Sequence, residues 1–153
     1  GIAAARGIAL AINRPVVGVS TLAAYCAPCV ADDLADTVLA AVDARHGHVY
    51  MQMFGGEGLR VSARYAPIEE ALRAVAAADG EVHLAGSAAP LLAARWPDGK
   101  RAPMVRRAGP APEVEWVARL GAKADAALAP ARPLYLRPPD ARPQDAARLP
   151  RRP

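Results

Sequence analysis

The stretch from Thr37 to Phe54, TVLAAVDARHGHVYMQMF, constrains this chain more than any other. Val38 to Val42 is an unbroken apolar run, the pattern of a strand covered on both faces. Asp43 to His48 is polar and carries one glycine, Gly47, where a tight turn needs a positive φ. Val49 to Phe54 is rich in β-branched, aromatic and thioether side chains, and its period of two puts Val49, Met51 and Met53 on one face. The reading is a buried hairpin. Its turn gathers an acid, Asp43, a base, Arg45, and two histidines, His46 and His48, at one edge of a sheet. A solvated hairpin end explains those residues as readily as a site does.

The chain around that hairpin is long enough for one domain or two small lobes: 153 residues, 53% of them hydrophobic. Aromatics are only 5%, so Ala, Val, Leu and Ile must build the core. The net charge of +4 suits an acidic partner without requiring one. The cations are nearly all Arg, and abundant Arg, Ala and Pro together fit a GC-rich coding sequence. No apolar run approaches the roughly 18 residues needed to cross a bilayer, and no signal-peptide pattern opens the chain. Two cysteines without disulfide-scaffold density point to a cytoplasmic protein.

Ile2 to Asn13 reads as a helix that is apolar all round, ended by Asn13 and Pro15. Ala3, Gly7 and Ala11 recur every fourth residue and form a stripe of small side chains, with Ile8 and Ile12 beside it. Such a helix is expected to be buried on more than one side, against a sheet of its own chain or against another subunit. Pro15 to Val19 reads as a short buried strand. Ser20 caps a helix from Thr21 to about Ala27, where Pro28 breaks or kinks it. Cys26 and Cys29 have C-x-x-C spacing, but no second pair follows to complete a zinc site. The first Cys also falls late in a helix, whereas a redox dithiol sits at a helix start, so the expectation is two inert, reduced thiols.

After the hairpin, Gly55 to Gly58 turns the chain into a third antiparallel strand, Leu59 to Tyr65. Pro67 opens a helix with Glu69 and Glu70 in its first turn, and Glu69 and Arg73 are an i,i+4 pair. Val82 to Ala85 is a buried strand containing His83, read as a satisfied strand histidine. Gly86-Ser87 turns directly into an apolar helix, Ala88 to Trp96. A strand, a glycine turn and a helix start can receive an anion, though most such turns bind nothing. Met104-Val105 is a short strand. A last helix starts at Pro112, with Val114, Val117, Leu120 and Leu128 as core contacts. Leu134-Tyr135-Leu136 is the last packed segment. Residues 138–153 are a Pro/Arg-rich tail, read as disordered in preference to an RNA-binding arm.

Strands alternating with helices around one antiparallel meander imply an α/β domain with a mixed sheet. The segments IAAARGIALAINRPVVGVSTL (2–22), VLAAVDARHGHVY (38–50), LAGSAAPLL (84–92) and PLYLRPPDARP (133–143) resemble the TsaB (YeaZ) family over almost the whole chain. That family is the non-catalytic subunit of the bacterial machinery that makes threonylcarbamoyladenosine in tRNA. The resemblance implies the actin-like, ASKHA (ribonuclease H-like) fold, with residues 1–137 as the end of a first lobe plus the second lobe. The N-terminal strands and first helix of the family are not matched.

It further implies that the turns at Asp43, Arg45 and at Gly86, Ser87 correspond to the two halves of a nucleotide cleft. Both are thinned of small residues, so the chain would have no catalytic residues, metal or cofactor of its own, with ATP and Mg in partner subunits. The implied partners are a TsaD-like catalytic subunit and a TsaE-like ATPase, with tRNA reached indirectly and no membrane. The implied interface is Ala3, Ala4, Gly7, Ile8 and Ala11, used in a homodimer or in the complex. The competing expectations are an active kinase or peptidase of the same superfold and a redox enzyme using Cys26 and Cys29. His46, His48 and His83 offer no metal-ligand pairing.

Overall fold

A computed structural model describes residues 1–31, 36–97 and 101–138. In chain order the elements are α1 (Ile2–Ala11), α2 (Thr21–Ala31), β1 (Thr37–Asp43), β2 (His48–Gly55), β3 (Gly58–Pro67), α3 (Ile68–Ala76), β4 (Val82–Ala85), α4 (Ala89–Ala94), β5 (Met104–Arg107) and α5 (Val114–Lys123). They form one five-stranded sheet in the order β3-β2-β1-β4-β5. β1 pairs antiparallel with β2 and parallel with β4, and β4 pairs parallel with β5. The architecture is a mixed sheet flanked by helices, as the alternation of elements implied.

β1 is central, so its side chains are divided between two cores. Leu39 and Ala41 face the α3 and α4 side with Val49, Met51, Met53, Ile68, Leu84 and Leu92. Val38 and Ala40 face the α2 side with Leu22, Tyr25, Cys26 and Cys29. Leu39, Ala40, Ala41 and Leu84 are 0% exposed. Alanines at two adjacent positions of the middle strand let helices approach it on both sides. Burying each large side chain contributes about 1.5–3 kcal/mol, enough for this small sheet to hold together without many aromatics.

The structure corrects the expected elements at five places. The helix α2 does not stop at Pro28 but runs to Ala31. Pro28 lacks the N–H for one intrahelical bond, while the buried Tyr25, Cys26 and Cys29 of the same helix pack with Val38 and Ala40 of β1. Residues 15–19 are not a buried strand. They are half-buried or exposed, and Val17 makes a single bridge to Pro130. Gly18 donates its N–H to Ala129 O at 2.9 Å, and a Cβ there would meet the Pro130 carbonyl, so this segment belongs to the loop after α5.

In α5 no residue is buried, and Val114 and Leu128 are 81% and 84% exposed, not core. Glu70, rather than Glu69, forms the ion pair at the start of α3, with Arg64 of β3 at 3.1 Å. Of Leu134-Tyr135-Leu136 only Leu136 packs, against the α2-side core, while Leu134 and Tyr135 are exposed. The expected tail lies, from residue 139 on, outside the described residues. Among the described residues, no helix is long and apolar enough to cross a membrane.

The opening helix α1 ends where expected, with Asn13 at φ 50°. Its burial is not as expected. Only Ala9 is buried, Ile8, Leu10 and Ile12 are 63%, 84% and 61% exposed, and a Cβ at Gly7 would meet nothing within 4 Å. The helix does not pack on the sheet of its own chain.

Candidate functional site

Because β1 and β4 are parallel, their C-terminal ends lie side by side, and the two turns singled out in the sequence meet there. The Asp43 N–H donates to Ser87 Oγ at 3.2 Å, although 44 residues separate the two. Ala88 N–H donates to Ala41 O at 3.1 Å, and Gly86 N–H donates to Arg107 O at 2.6 Å. Gly86 has φ +98° and lies against the Ala41 carbonyl, so its lack of a side chain serves the approach of the turn to β1. Asp43, Ser87, Gly86 and the end of β5 therefore form one knitted edge. Arg107 in turn pairs with Glu113 ahead of α5.

The hairpin turn is tighter than one glycine suggested. Arg45, His46 and Gly47 have φ 63°, 49° and 74°, three successive residues in the left-handed region. That conformation costs a non-glycine residue roughly 1–2 kcal/mol, and a dense set of hydrogen bonds holds it. Asp43 Oδ1 accepts from Arg45 N at 2.8 Å, and Ala44 N–H donates to His48 O at 3.0 Å. The carbonyls of Arg45 and Gly47 accept from the backbone N–H of His48 and Ile68. The His46 carbonyl accepts from the His48 ring at 2.9 Å, which places the proton on Nδ1. The Asp-x-Arg-His-Gly spacing marks a tight turn, but nothing in it signals that Arg45 and His46 take positive φ.

Several backbone donors of this edge are already engaged within the chain. A cradle needs backbone N–H groups that a phosphate can approach closely. Here the Arg45 and His46 side chains stand on the turn, Arg45 N–H is taken by Asp43, Asp43 N–H by Ser87, and Gly86 N–H by Arg107 O. The remaining sequence candidates are not brought to this edge. His83 pairs in register with Val38, toward the other end of the sheet; it is fully buried, and its Nε2 lies 3.1 Å from Glu81 Oε1. Among the described residues, no three His, Cys, Asp or Glu side chains come together as a metal-binding group.

Cys26 and Cys29 are buried beneath α2. Burial pushes the Cys26 thiol up to about 12, the opposite of a reactive thiolate. Burial also raises Tyr25, whose hydroxyl donates to Gly109 O at 2.8 Å.

Ala3, Ala4, Gly7, Ile8 and Ala11, the expected interface, are all exposed on α1 and far from this edge in sequence. One feature went unread in the sequence. His48 stacks on Tyr65 with ring centroids 4.7 Å apart and planes 2° apart, Tyr50 is tilted against Tyr65 at 5.5 Å, and Arg137 lies over the Tyr65 ring at 5.1 Å. The signal for it was period two: His48 and Tyr50 share a face of β2, and Tyr50 pairs in register with Tyr65.

The sheet order, the helices on both faces and the paired turns at the ends of parallel strands define an α/β protein of the ASKHA-like fold. Residues 1–93 match the family model described as TsaD: tRNA N6-adenosine threonylcarbamoyltransferase, and the chain belongs to that family. Two solved structures from Pseudomonas aeruginosa are similar. One, described as an uncharacterized protein with similarity to peptidase YeaZ, is 28% identical with a TM-score of 0.64, over 89% of this chain and 65% of its own. The other, YeaZ, is 28% identical with a TM-score of 0.63, over 88% of this chain and 66% of its own. The chain thus spans just under two thirds of the length of these relatives and is YeaZ-like over most of its own. The comparison with curated proteins found no match.

Proposed function

We propose that this chain is a non-catalytic scaffold subunit in the transfer of a threonylcarbamoyl group to adenosine beside the anticodon of tRNA. The observation that carries the reading is α1. It exposes Ile8, Leu10 and Ile12 at 61–84%, beside a stripe of Ala3, Gly7 and Ala11 that no atom of the described residues covers at Gly7. Large apolar side chains left in water on a helix are favoured only if another surface removes them from it. A small-residue stripe lets a facing helix approach closely and gain dispersion along its length.

The occupant in this reading is a TsaD-like catalytic subunit, or a second copy in a homodimer, with a TsaE-like ATPase in the same cytoplasmic complex. ATP and Mg are used by those partners. This fits an edge at Asp43, Arg45, Gly86 and Ser87 whose hydrogen bonds are spent within the chain.

Gly7→Leu, tested in a chain that carries any preceding lobe, is expected to weaken capture of the catalytic homologue roughly 5- to 150-fold, since overpacking a close helix contact costs about 1–3 kcal/mol, without lowering the melting temperature, since a Cβ at Gly7 meets nothing within 4 Å. Capture unchanged by Gly7→Leu overturns the interface. Purified protein with Mg-ATP is expected to turn over no faster than buffer. Turnover that disappears in Asp43→Ala establishes the competing reading, an active enzyme of the same superfold.

A further inference from the structure

We propose that the His48–Tyr65 ring stack is a platform for an unpaired base of single-stranded RNA, bound by this chain itself. The rings lie on the α2 side of the sheet, at the end where the hairpin turn closes. His48 and Tyr65 are both only half buried, so the stack is open to solvent and not sealed in the core. The hydrogen bond from His48 Nδ1 to His46 O fixes the ring plane. A ring held parallel to a tyrosine on a rigid strand is preorganised for stacking, and every nucleobase offers a π-face to it.

The charges around the stack suit a phosphate backbone. Arg137 already lies over Tyr65, and Arg45 and His46 project from the turn beside His48. The nearest acid on that turn, Asp43, has Oδ1 engaged by Arg45 N at 2.8 Å. The segment that delivers Arg137 is anchored by Leu136 on the core, so the cation is positioned by packing. A duplex keeps its bases stacked inside, so a platform of this kind selects unpaired bases, as single strands, loops and ends supply them.

The inference is separate from the scaffold reading: it is measured on this chain alone, whereas that reading is measured by partner capture. The test is fluorescence anisotropy of a labelled, unstructured RNA of about ten nucleotides with the full chain, a length within the usual range for one single-strand site. His48→Ala is expected to weaken binding about tenfold or more, the usual loss of one stacking partner, and Tyr65→Ala, which removes the ring that backs His48 and carries Arg137, to weaken it less. His48→Phe, which keeps the π-face, is expected to restore most of it. Arg45→Ala is expected to lower the slope of log affinity against log salt by about one. Should Tyr65→Ala melt below the assay temperature, His48→Ala at the strand end carries the test. Binding by His48→Ala equal to the parent's overturns the proposal, as does a duplex of the same length bound as tightly as the single strand.

Discussion

α1 and β1 are made of nearly the same letters and meet opposite fates. IAAARGIALA and TVLAAVD are both runs of Ala, Leu and Ile or Val with at most one charge. Along β1, Val38 to Ala41 are at most 1% exposed, whereas on α1 Ile8, Leu10 and Ile12 are more than half exposed. The difference comes from neighbours. β1 has strands on both edges and helices on both faces, while among the described residues no element packs extensively along α1. Hydropathy states that a segment needs covering; it does not state by what. The same distinction separates α1 from α2, whose apolar residues Leu22, Tyr25, Cys26 and Cys29 all lie on β1 and its neighbours.

The largest test of that contrast is truncation of one leucine on each side of it. Leu39→Ala removes a fully buried side chain between β1 and the α3–α4 layer and is expected to cost about 2–5 kcal/mol in chemical denaturation. Leu10→Ala on α1 is expected to stay within about 0.5 kcal/mol for the chain alone, because an exposed substitution opens no cavity. A loss at Leu10 near that at Leu39 would mean that α1 packs inside its own chain.

The glycines sharpen the same contrast. Gly86, at φ +98°, has the Ala41 carbonyl where a Cβ would stand. Gly86→Ala is therefore expected to cost about 1–3 kcal/mol and to open the contact between the two turns, since a strained φ and an overlap must both be relieved. Gly7 lies in the interior of α1 with open space around it. Gly7→Ala is expected to stabilise the isolated chain by up to about 1 kcal/mol, the usual penalty of glycine in a helix. Thermal melts of the two variants, read side by side, should move in opposite directions; movement in the same direction would break the contrast.

What was legible in the sequence follows from the same physics. The hairpin, the buried Val82 to Ala85 strand, the shared face of Val49, Met51 and Met53, and the helix from Pro67 were readable because each is set by local periodicity or by a glycine or proline. Val114, in α5, and Leu128, in the turn after it, are exposed and not core, because periodicity shows a face and not what stands opposite it. Of the two outcomes expected at Pro28, a break or a kink, the break does not occur, because the packing of α2 on β1, a tertiary term, outweighs one missing hydrogen bond. Of the candidate site, the sequence showed Asp43, Arg45, Gly86 and Ser87. The hydrogen bond from Asp43 to Ser87 needed the parallel register of β1 and β4, and the stack of His48 on Tyr65 needed the register of β2 and β3.

The smallest effect concerns α2, the covered helix, and appears only in alkali. Burial raises the Cys26 thiol to about 12 from an ordinary value of 9.0, because the thiolate is disfavoured away from water. A pKa raised by folding means that the unfolded chain loses this proton first as pH climbs. The contribution is therefore fully present below about pH 9 and is lost as pH rises toward 12. Between pH 6 and pH 8, Cys26→Ala and the parent are expected to show parallel stability, offset only by the lost packing of the sulfur. Above about pH 9 the parent is expected to lose stability more steeply than the variant, and its melting temperature to converge on the variant's. In the native state at pH 8, Cys26 is expected to react with a thiol reagent only at the rate of unfolding, whereas an exposed thiol reacts at once. Prompt labelling of Cys26 in the folded chain would show that α2, like α1, is not closed over its apolar face.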